Sequence, residues 1–78
     1  MKDKLDTARE LLFNDDKLTL DEREELWGLL QYVMSDPKSD LTPGKSKLIS
    51  IKIKKAAKGT QEFVENIVAK YLAEMSKD

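Results

Sequence analysis

Leu48-Ile49-Ser50-Ile51-Lys52-Ile53-Lys54-Lys55-Ala56-Ala57-Lys58-Gly59-Thr60 is the stretch on which the fold turns. Ile49, Ile51 and Ile53 alternate with Ser50, Lys52 and Lys54, the period of a half-buried strand. The same residues also fit a helix: Leu48, Ile49, Ile53, Ala56 and Ala57 share one broad face, with Ile51 near its edge. A strand here would have no second strand to pair with, and its amides and carbonyls would go unbonded. The segment from Pro43 to Lys58 therefore reads as a helix, and the chain as all-α.

Working outward, Gly59 supplies a stop and Thr60 a new start, so the next helix follows after a very tight turn. Gln61 to about Ser76 carries Phe63, Val64, Ile67, Val68, Tyr71, Leu72 and Met75 in an unbroken apolar stripe, with Lys70 on the polar face. The final Ser76-Lys77-Asp78 is expected to fray. On the other side, Thr42 reads as an N-cap with Pro43 at the first helical position. Pro37 ends the preceding helix, because a residue before proline is pushed away from helical angles. That helix starts at a capping box, Thr19-Leu20-Asp21-Glu22, and buries Leu26, Leu29, Leu30, Val33 and Met34 between Trp27 and Tyr32. Asn14 closes the first segment through the left-handed conformation it tolerates, after Leu5, Ala8, Leu11 and Leu12 have formed a stripe. The expected architecture is a single domain over residues 1–78, a small antiparallel four-helix bundle with helices near 2–13, 20–35, 43–58 and 61–76.

The chain has 78 residues, no cysteine and no histidine. A domain of this size buries only about 60% of the surface its unfolded chain exposes. Disulfides and thiolate metal sites are excluded, and so is the commonest general base and metal ligand. No run approaches the roughly 20 apolar residues that span a bilayer, and Met1–Asp6 lacks the apolar core of a secretion signal. A cytoplasmic protein with no cofactor and no enzymatic activity is the expectation.

The net charge of −1 conceals an asymmetry. Residues 1–40 carry six basic and eleven acidic side chains, whereas residues 41–78 carry eight basic and four acidic. Either the halves attract each other as they pack, or they form a bipolar surface that orients a charged partner.

Several motifs are imitated without being met. Gly44-Lys45-Ser46 resembles the end of a phosphate-binding loop, but Ser39 stands where the first glycine belongs. Asn14-Asp15-Asp16 and the following acids lack the glycine and spacing of a calcium loop. Asp21, Glu22, Glu24 and Glu25 cluster in the first turns of a helix, where each is stabilised as a carboxylate rather than poised for acid–base work. A DNA-reading helix-turn-helix at Gly59-Thr60 would present Glu62 and Glu65 to phosphates.

The best working surface is the run Lys45, Lys47, Lys52, Lys54, Lys55 and Lys58, six lysines with no acid among them. It contains neither arginine nor an aromatic residue, which weighs against nucleic acid as the partner. An acidic protein surface fits best, a membrane leaflet touched without being spanned is an alternative, and so is self-association of acidic with basic halves. The candidate partner-binding residues are Lys52, Lys54, Lys55 and Lys58, with Trp27 as an interface anchor if it is not simply core.

The short first helix, the Asn14-Asp15 turn and the stretch Leu18-Thr19-Leu20-Asp21-Glu22-Arg23-Glu24-Glu25-Leu26 resemble the opening of the enterocin A-type bacteriocin immunity proteins, over residues 8–34. The resemblance implies a cytoplasmic antiparallel four-helix bundle that protects a producer cell from its own pore-forming peptide. It also implies that the C-terminal half helps recognise a receptor–bacteriocin complex. The chain departs from that family in lacking a long irregular C-terminal tail, so no residue role transfers. The reading is a small non-enzymatic binding protein, an immunity protein first and a phage- or mobile-element-encoded regulator of a host transcription or defence protein second.

Overall fold

The computed structural model describes residues 3–36 and 38–75, apart from the side chains of residues 74 and 75. Among them are four α-helices and no strand: α1 (Lys4–Phe13), α2 (Leu20–Ser35), α3 (Thr42–Lys52) and α4 (Lys58–Met75), with a 3₁₀ turn at Ile53–Lys55 between α3 and α4. The all-α expectation holds, and the alternating isoleucines are helical. Residue 2, Pro37 and residues 76–78, to which expectations were attached, lie outside the described residues.

Local chemistry accounts for the starts of α1 and α2. Asp3 is the N-cap of α1, its Oδ1 accepting from the Asp6 amide at 2.9 Å. The capping box of α2 forms as its sequence requires: the Glu22 amide donates to Thr19 Oγ1 at 3.2 Å, and the Thr19 amide to Glu22 Oε1 at 2.9 Å. At the far end Asp36 leaves the helix with φ −141° and ψ 68°. Asn14 does close α1, but at φ −102° rather than in the left-handed region.

Thr42 is not the N-cap of α3. It is the first helical residue, fully buried, and its hydroxyl donates to the Asp36 carbonyl at 2.6 Å. The hydroxyl thus fastens the 36–41 loop to the helix it precedes. Tyr32 and Ser39 add a second tie between their hydroxyls at 2.7 Å.

The larger correction concerns the junction after α3. The helix stops at Lys52, and the chain breaks at Ala56 (φ −76°, ψ 166°), not at Gly59-Thr60. Gly59 and Thr60 lie inside the first turn of α4, and no described glycine has a positive φ. A glycine stop needs that left-handed geometry, so Gly59 does not act as one.

The core is built from all four helices. Ala8 and Leu12 of α1, Leu26, Leu30 and Val33 of α2, Ile49 of α3, and Val64, Ile67 and Val68 of α4 are buried. Ile53 and Ala56 join them from the junction, and Leu18 from the α1–α2 loop. Burying one such leucine or isoleucine is worth about 1.5–3 kcal/mol, so a few of them carry much of a small domain's stability. Phe13, Trp27, Leu29, Met34, Phe63, Tyr71 and Leu72 pack around this centre half-buried. Helix α2 touches each of the other three helices, and α1 also lies against α4.

Candidate docking face on the third helix

The corner that carries Lys54, Lys55 and Lys58 is held by two side chains from elsewhere. Asp15, in the α1–α2 loop, is buried, and its Oδ2 accepts from the Ala57 amide at 2.8 Å. Its Oδ1 accepts from the Lys17 amide at 2.9 Å, and the Thr60 hydroxyl bonds to the same carboxylate. Burial disfavours the charged form, but these donors and the nearby Arg23 charge outweigh it and hold Asp15 below the usual aspartate range. From the other side Gln61 Nε2 donates to the Ala56 carbonyl at 2.7 Å and the Lys54 carbonyl at 3.3 Å. One carboxylate thus takes an orphan amide of α4, while one carboxamide satisfies carbonyls that the 3₁₀ turn leaves open.

Arg23 completes the arrangement by donating from Nη2 to the Asp15 carbonyl at 2.7 Å. Its buried Nε has no hydrogen-bond partner among the described residues.

The structure divides the predicted lysines into two sets. Lys52 Nζ lies 2.8 Å from Glu25 Oε1, and Lys55 Nζ lies 3.1 Å from Glu22 Oε2. These pairs join the basic second half to the acidic first half within one molecule. Both pairs lie open to solvent, whose screening keeps their contribution to stability small. Glu22 sits below the usual glutamate range, through the Thr19 amide first and Lys55 second. Lys45 reaches back too, its Nζ 4.7 Å from the centre of the Tyr32 ring. Lys47, Lys54 and Lys58 are exposed and make no ion pair among the described residues.

Trp27 is half-buried against the core, two residues from Glu25 and hence about 200° round α2 from it.

The sequence reading missed the apolar part of this face. Leu41, Leu48 and Ile51 are 60%, 44% and 56% exposed, and of the described large apolar side chains only Leu20 is comparably open. Leu48 was expected in the buried face; only Ile49, Ile53 and Ala56 of that set are buried, with Ala57 half-buried. Leu41 and Leu48 are seven residues apart, as are Gly44 and Ile51, so the four positions trace a seam along the outside of α3. That spacing was available in the sequence, hidden by the stronger alternation of the isoleucines.

This face sets exposed apolar side chains beside lysine amines. Both carboxylates with a resolved shift are held in the ionised form. An open groove of about 450 Å³ beside it is lined by Thr7, Leu11, Asn14, Asp15, Ala57 and Thr60, and its buried carboxylate is already engaged. Among the described residues no cluster of acidic side chains is arranged to hold a metal ion, and no helix is long and apolar enough to cross a membrane. The chain matches no family model, no curated protein and no solved structure.

Proposed function

We propose that this chain is a non-enzymatic binding protein that docks on an acidic protein surface through the outward face of α3 and the corner leading into α4. One observation carries the reading: among the described residues, three of the four open large apolar side chains, Leu41, Leu48 and Ile51, lie along α3, which also bears Lys47 and leads into Lys54 and Lys58, none of the three lysines making an ion pair there. Charge complementarity of this sort speeds encounter and fixes orientation, while apolar contact sets the lifetime of the complex. Lys52 and Lys55, nominated from the sequence, act instead as internal ties to α2.

The helices are proposed to run alternately up and down, as short connections between neighbours favour. The biological setting proposed for the docking is producer-cell immunity, to which the Leu18–Leu26 stretch points by its resemblance. The antagonist would be held off by occupation of a receptor surface rather than by chemistry.

The test is capture from the native host with wild-type protein and with the Lys47→Glu, Lys54→Glu, Lys58→Glu variant, followed by association kinetics on the purified partner. The variant should associate about tenfold more slowly, with a flatter salt dependence. Identical capture and kinetics would remove the reading.

A further inference from the structure

The seam on α3 has a geometry of its own, and it narrows the class of partner. Leu41 and Leu48 occupy one line, Gly44 and Ile51 the next, as the a and d positions of two successive heptads do. A Cβ placed on Gly44 would meet nothing within 4 Å, so the seam is open to an approaching backbone at that point. Ten residue steps at 1.5 Å each make it about 15 Å long, which one helix covers in roughly three turns. Its two borders differ. On the α2 side Lys45 and Lys52 are taken up by Tyr32 and Glu25. On the other side Lys47 is exposed and Lys54 follows seven residues later, neither making an ion pair among the described residues.

Resting on the docking reading above, we propose that the occupant is an acidic amphipathic α-helix of another protein, laid along Leu41, Leu48 and Ile51 with its carboxylates against Lys47 and Lys54. Charge complementarity argues for this occupant over the others. A second copy related by two-fold symmetry would bring its own Lys47 and Lys54 onto the same seam. A second copy offering its acidic α2 presents Leu20 with Glu24, Gly28, Gln31 and Ser35, which gives Leu48 and Ile51 no apolar counterpart. An anionic bilayer would meet a narrow seam without aromatic residues and the carboxylates of Glu22 and Glu25 close by. An acidic helix satisfies the seam and the free border together, in the helix-in-groove mode.

The probe is a labelled synthetic helix of three heptads, with leucine at a and d and glutamate along one flank, titrated with the intact protein at low and moderate salt. Affinity should fall about tenfold or more in the Leu48→Gln, Ile51→Gln variant and similarly in Lys47→Glu, Lys54→Glu. A helix carrying lysine in place of glutamate should recover the second loss. Three results would overturn the proposal: no binding of the acidic helix, binding indifferent to Leu48 and Ile51, or sedimentation or anionic-vesicle flotation that instead depends on those two residues. If host capture still depends on Lys47, Lys54 and Lys58 while the acidic helix fails to bind, the docking reading stands and only the helical partner falls. If capture ignores those lysines, the docking reading falls first.

Discussion

Asp15 is the residue whose role is furthest from what its neighbours suggest. It sits in an acidic run that looks solvated, yet it is buried and accepts from the Ala57 amide 42 positions away. Nothing in a local pattern announces such a partner, because the bond exists only once α1 and α4 have packed. Replacing Asp15 with alanine leaves two amide donors and a hydroxyl to find new acceptors, at a cost of about 2–3 kcal/mol. Asp15→Asn keeps an acceptor oxygen and should cost less. The carboxylate is more acidic folded than unfolded, so its contribution is present at neutral pH and is lost as pH falls through the acid range. Urea unfolding from pH 7 down to pH 3 should therefore show stability dropping below about pH 4, with a shallower drop in Asp15→Asn. Equal slopes in the two proteins would show that Asp15 is not a source of acid sensitivity.

At the scale of elements, legibility followed the range of the interaction that sets each boundary. The Thr19–Glu22 box is complete within four residues, and the start of α2 could be read directly from it. The end of α3 fell at Lys52 instead of the expected Lys58, where the junction is bonded from outside: Asp15 takes the Ala57 amide, and Gln61 donates to the Lys54 and Ala56 carbonyls. Gly59 drew the expectation to itself because glycine so often closes a helix, but here it is an ordinary first-turn residue with open space where a Cβ would be. Gly59→Ala should accordingly be neutral or stabilising by up to about 1 kcal/mol in thermal unfolding. A loss of stability would mean the residue does need glycine's conformational freedom. The candidate site was half legible for a related reason. Lysines are visible in any sequence, whereas pairing and exposure depend on α2, so Lys52 and Lys55 could not be told from Lys54, nor Leu48 from Ile49.

For the whole molecule, the opposed charge of the two halves is partly consumed inside the fold. Glu22 and Glu25 answer Lys55 and Lys52, which leaves the excess basic charge beside exposed leucine and isoleucine on α3. Docking through α3 requires those apolar side chains to belong to the outside of a fold that is stable without them. The most direct measurement is the melting temperature of Leu48→Gln, Ile51→Gln, taken with its binding to the acidic helix. Surface positions change stability by only about 0.5 kcal/mol each, so melting should stay within about 8 °C of wild type while affinity for the acidic helix falls about tenfold or more. A fall of more than about 15 °C, as two core truncations would cause, would place Leu48 and Ile51 inside the fold and contradict the account.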